Sequence, residues 1–65
     1  MTITYTVVGS DEEYVAVKFI NESGQIYVRN IRADQTAEDF PVIMQAYVDM
    51  IVERVARGMI QFVDE

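Results

Sequence analysis

No cysteine and no histidine occur among the 65 residues, so neither a disulfide nor an ordinary structural zinc site can brace the fold. A chain of this length is one domain, residues 1–65, and buries only about 60% of the surface that its unfolded form exposes. Below roughly 70–80 residues such a core supplies no more than about 3–5 kcal/mol unless a crosslink, a metal or a subunit contact adds to it. Of these three, the composition favours the subunit contact. Hydrophobic residues make up 51% of the chain, far from the composition of a disordered segment, and part of that apolar surface is expected to lie between chains.

The first half of the chain alternates with a period of two, the signature of half-buried strands. Thr2 to Val8 places Ile3, Tyr5 and Val7 on one face and threonines on the other. After the polar stretch Gly9–Glu13, a second strand runs from Tyr14 to Ile20, with Val15, Val17 and Phe19 inward. Asn21, Glu22, Ser23 and Gly24 form a hairpin turn, and a third strand follows from Gln25 to about Ile31 with Ile26 and Val28 inward. Treating all four turn residues as loop pairs Ile20 with Gln25, which sets Phe19 against Ile26, Val17 against Val28 and Lys18 against Tyr27. In the first hairpin, Val8 opposite Tyr14 sets Val7 against Val15, Tyr5 against Val17 and Ile3 against Phe19. The two registers present one common apolar face.

Acidic and hydroxyl residues between Ala33 and Asp39 suit the approach to a helix N-terminus, with Thr36 capping a short turn. Pro41 fits a first helical turn and not an interior. A regular helix is therefore expected from Phe40 or Pro41 to Arg57, with Gly58 as the C′ residue. Seventeen residues would span about 25 Å, enough to cover strands of about 23 Å. Met59 to Val63 reads as a short fourth strand with Ile60 and Phe62 on one side. Joined to the same sheet by a right-handed crossover it would lie parallel to the first strand, in order 4-1-2-3; the alternative is pairing with another subunit. The fold class expected is α+β: a three-stranded antiparallel meander covered by one C-terminal helix, in βββαβ order where the last strand forms.

On a helical wheel, Phe40, Met44, Tyr47, Ile51 and Val55 form the stripe that lies on the sheet. Ile43 and Met50 flank it on one side and Val48 and Val52 on the other, leaving a narrow polar arc of Gln45, Asp49 and Glu53. Loops or the last strand could cover these flanks, but the reading preferred here is a protein interface formed by Ile43, Met50, Val48 and Val52 with Arg54 beside them. Arg54 lays its aliphatic stem over apolar neighbours, and Arg57 pairs with Glu53 one turn earlier.

With a net charge of −6, the chain is poorly suited to neutralising phosphates, so nucleic acid and anionic membrane surfaces are not expected partners. Tyr14, Lys18, Tyr27 and Arg29, all assigned to the outer sheet face, form only a weak base-stacking set. A carboxylate acting as general acid needs burial in a cleft, which one thin layer scarcely offers. The Asp11-Glu12-Glu13 loop lacks the ligand spacing of a calcium loop, and the glycines fit no phosphate-binding fingerprint. No catalytic, metal-ligating or cofactor-binding residue is therefore assigned, and no cofactor is expected. Neither a leader-like apolar segment nor a membrane-length apolar run is seen.

The segment Tyr14-Val15-Ala16-Val17-Lys18-Phe19, the turn Asn21-Glu22-Ser23-Gly24, and Ile26 to Arg32 followed by a terminal helix together resemble small proteins of tailed bacteriophages, cyanophages included, in layout across most of the chain. The resemblance implies a virion-associated or accessory role, in the virion or the host cytoplasm, and carries over no site residues. The expected function is a non-enzymatic interaction or structural module that self-associates or binds another protein. The alternative is an acidic host-directed inhibitor that mimics DNA, which needs carboxylates in a continuous stripe including Asp49 and Glu53.

Overall fold

The computed structural model describes residues 1–65. Three strands, β1 (Ile3–Ser10), β2 (Val15–Asn21) and β3 (Ile26–Ile31), precede one helix, α1 (Phe40–Ala56). The strands form an antiparallel meander in the order β1-β2-β3, and α1 lies on one of its faces. The core is wholly apolar: Val15, Val17, Phe19 and Ile31 from the sheet, Phe40, Met44, Val48 and Ile51 from the helix, and Phe62 from the C-terminal arm. Fully burying a side chain such as Phe19 is worth about 1.5–3 kcal/mol, so few residues carry the stability of the domain.

The β2–β3 hairpin differs from the sequence expectation by one residue. Asn21 pairs with Gln25, its N–H donating to the Gln25 carbonyl at 3.0 Å, while the Gly24 N–H donates to the Asn21 carbonyl at 3.1 Å. Only Glu22, Ser23 and Gly24 remain in the loop, and Gly24 adopts a φ of 79°. This is the three-residue hairpin loop in which a left-handed residue completes a bulged turn. The Asn21 Oδ1 fixes it by accepting from the N–H groups of Ser23 and Gln25 at 3.0 and 2.9 Å. Consequently Ile20 pairs with Ile26, Phe19 with Tyr27, Lys18 with Val28, Val17 with Arg29 and Val15 with Ile31. One step of register reverses every side chain of a strand: Tyr27, Arg29 and Ile31 face the helix, while Ile26 and Val28 face away.

In the first hairpin the faces are as expected, but the pairing shifts by two residues. Val7 lies opposite Val17, Tyr5 opposite Phe19 and Ile3 opposite Asn21. The strand continues through Gly9 and Ser10, because a bulge at Val8 absorbs one residue between the Val7 and Gly9 pairs. Asp11 then closes a tight turn: its N–H donates to the Tyr14 carbonyl at 2.9 Å and its Oδ1 accepts from the N–H groups of Glu13 and Tyr14 at 2.9 and 2.7 Å.

Helix α1 occupies the expected span, with Asp39 at the N-cap position making no side-chain cap bond. Upstream, Asp34 rather than Thr36 organises the turn, accepting from both the N–H and the hydroxyl of Thr36 at 2.9 and 2.7 Å. At the other end, Gly58 donates to the Val55 carbonyl and Met59 to the Arg54 carbonyl, with Gly58 at a φ of 75°, the bonding pattern of a Schellman cap. The buried helix stripe is Phe40, Met44, Val48 and Ile51. It is turned toward Val48, and Tyr47 and Val55 are only half-buried.

The C-terminal arm neither lies beside β1 nor runs parallel to it. Val63 bridges antiparallel to Ile26, exchanging both backbone bonds with it at 2.8 and 3.0 Å, so the arm caps the outer edge of β3. Phe62 turns inward, its ring 5.9 Å from that of Tyr27. The expected order 4-1-2-3 is thus replaced by a single bridge on the opposite side of the sheet.

Candidate interaction surfaces

The five residues assigned to a helix-flank interface do not form one free patch. Val48 is 8% exposed and belongs to the core. Ile43, Met50 and Val52 are half-buried against that core, and Arg54 is also half-buried. Beside Met50, a shallow depression of about 220 Å3 is lined by Arg29, Ala46, Tyr47 and Met50, and the Arg29 guanidinium lies 5.5 Å from the centre of the Tyr47 ring. Of the helix residues, Val42 is the most exposed large apolar side chain at 71%.

The opposite face of the sheet carries Ile26 and Val28, which the sequence periodicity places inward. Paired residues of an antiparallel ladder share a face, so Thr4, Ile20, Ile26 and Val63 make one row across it and Thr6, Lys18 and Val28 the next. No helix covers these rows. Ile20 and Ile26 are half-buried, whereas Val28 and Val63 are 51% and 55% exposed. Lys18 reaches the carboxylate of Glu65 at 3.0 Å. The signal that could have located this surface was Gly24 at the third loop position, which selects the three-residue turn and turns Ile26 and Val28 outward.

The same register separates the base-stacking set. Tyr27 and Arg29 face the helix, while Tyr14 and Lys18 follow the outward parity of β2. As for the carboxylates, Glu53 is engaged by Arg57 at 2.7 Å and Asp49 accepts from Gln45 at 3.0 Å. Three acids are perturbed, and all three downward. Hydrogen bonds from the N–H groups of Tyr14 and Glu13 hold Asp11 below its ordinary value. Glu22 is lowered by its own backbone and then by the N–H of Thr2. Asp34 is lowered by the hydroxyl and then the N–H of Thr36. Each is exposed and held ionised, the reverse of the raised value a general acid requires.

A second open depression, of about 400 Å3, is lined by Asn21, Gln25, Val55, Ile60 and Phe62 among others. It lies where the arm returns to β3. The chain matches no family model, no curated protein and no solved structure.

Proposed function

We propose that this chain is a non-enzymatic, self-associating interaction module, acting as a small structural or accessory component. The resemblance of its sequence layout to small phage proteins would make the virion or its host cell the setting. The observation that carries the reading is the division of the sheet: one face is closed by α1, and the other displays Ile20, Ile26, Val28 and Val63 with no covering element. A contiguous aliphatic surface outside the core is characteristic of proteins that work in contact with others. The thin core supports the same reading, since association adds stability that a domain this small lacks.

Sedimentation equilibrium at micromolar concentration tests this. The expected result is a dimer or larger species of the 7.5 kDa chain. A strictly monomeric mass across the accessible concentration range overturns it.

A further inference from the structure

The two edges of the sheet are treated differently. Strand β3 is capped by the arm, whose Val63 takes the outward N–H and C=O of Ile26. Strand β1 has no such cover: outside the ladder with β2, no backbone–backbone hydrogen bond involves residues 2–10, and the Thr2 N–H bonds to the Glu22 carboxylate.

Which groups of β1 point outward follows from alternation. Asn21 bonds to Gln25 and Ile26 bonds to Val63, so residues 15, 17, 19 and 21 of β2 face β3 while 16, 18 and 20 face β1. Their partners Thr4 and Thr6 therefore bond inward, and Ile3, Tyr5 and Val7 direct their N–H and C=O groups to the open edge. The bulge at Val8 ends this flat segment.

Exposed edges are ordinarily blunted by a charge, a proline or a very short strand. Between Thr2 and Ser10 there is no Asp, Glu, Lys or Arg and no proline, in a chain of net charge −6. Two such acidic molecules repel one another through charges elsewhere on their surfaces, and the edge itself adds none.

We propose that this edge is the seat of a second copy of the chain, paired antiparallel with its two-fold axis at Tyr5. This inference rests on the self-association proposed above and adds a second surface to the outer face, with the register in which two copies would meet. In that arrangement Ile3 faces Val7 of the other copy and Tyr5 faces Tyr5. Each facing pair exchanges both backbone bonds, so every outward group from Ile3 to Val7 is satisfied. On the outer face Thr4 meets Thr6 of the other copy. Aromatic, β-branched and threonine pairs are among the favourable cross-strand combinations, and no like charges meet. The three strands of each copy join into one sheet with both helices on the same side. The two uncovered outer faces then become one continuous surface.

The chain has no cysteine of its own, and Thr4 and Thr6 are exposed, which permits a register-specific test. A Thr4→Cys chain and a Thr6→Cys chain are oxidised separately and as a mixture, with circular dichroism confirming that each is folded. Thr4 and Thr6 of opposite copies form a non-hydrogen-bonded pair with Cα atoms about 4.5 Å apart, within disulfide reach. The Thr4–Thr4 and Thr6–Thr6 diagonals, at about 7–8 Å, lie outside it. Rapid crosslinking in the mixture, with its loss in either chain alone because those diagonals exceed disulfide reach, is the expected result. Equal crosslinking in all three samples, or none, overturns the proposal. If sedimentation still reports a dimer in that event, self-association stands and only the edge and register fall; a monomeric mass removes both.

Discussion

Asn21 and Gln25 face one another across the mouth of the β2–β3 hairpin, joined by a backbone bond at 3.0 Å and by the Gln25 N–H donating to the Asn21 Oδ1 at 2.9 Å. This pair decides which side of β3 enters the core, because it leaves three residues rather than four in the loop.

Asn21→Ala removes the acceptor shared by Ser23 and Gln25, and is expected to lower stability by about 1 kcal/mol, the net worth of a hydrogen bond. Gly24→Ala forces a Cβ into the left-handed region at a φ of 79° and costs roughly 1–2 kcal/mol. Urea unfolding followed by circular dichroism measures both, and an unchanged midpoint for Gly24→Ala contradicts the turn geometry.

The register itself is tested by comparing Phe19→Ala with Val28→Thr. Phe19 is fully buried, so its truncation costs about 3–5 kcal/mol, comparable to the whole stability of a domain this small, and leaves the chain largely unfolded. Val28 is half-exposed on the outer face, and its replacement stays within about 0.5 kcal/mol. A large loss at Val28 would instead support the register that alternation alone suggests.

Those positions also mark what the sequence could and could not convey. The three strands, the helix from Phe40 and its termination by Gly58 were legible because each rests on local chemistry: period-two alternation, the proline boundary and a left-handed glycine. Which side of β3 enters the core was not, since Ile26-Tyr27-Val28-Arg29 reads as alternating apolar and polar residues in either register. Two of its three inner residues, Tyr27 and Arg29, are amphipathic side chains, which pack through their apolar stems. The arm was misplaced for a related reason: a crossover rule for parallel strands does not apply to a segment that returns antiparallel after one helix. The helix-flank surface fails at Val48 because α1 is rotated toward that residue, a matter of packing against the sheet.

Acid should act on the turns before the core. Asp11, Glu22 and Asp34 have carboxyls lowered by hydrogen bonds in the folded state. A lowered folded value means that their contribution is complete above the unfolded carboxyl value of about 4 and disappears as pH falls through the folded value. Stability at neutral pH should therefore be flat in these groups and should decline below about pH 4. Asp11→Asn with Asp34→Asn retains an oxygen acceptor for each turn but cannot take up the proton. Urea midpoints measured from neutral to acid pH should fall less steeply for that double variant than for the wild type; parallel curves would detach these turns from the acid response.

The C-terminal arm is expected to contribute to both stability and solubility. Phe62 is 7% exposed and lies against Tyr27, so Phe62→Ala should cost about 3 kcal/mol or more while leaving the Val63 backbone able to pair. Deleting residues 62–65 removes the ring and also strips the outward N–H and C=O of Ile26 of their partners, opening a second strand edge beside the aliphatic row of the outer face. Uncovered edges recruit other strands. The truncated chain should therefore form species larger than those of the full chain at equal concentration, whereas Phe62→Ala should be destabilised without that added association. Light scattering on the two variants under conditions where both are folded separates the effects, and equal masses would show that the bridge to Ile26 does not guard the edge.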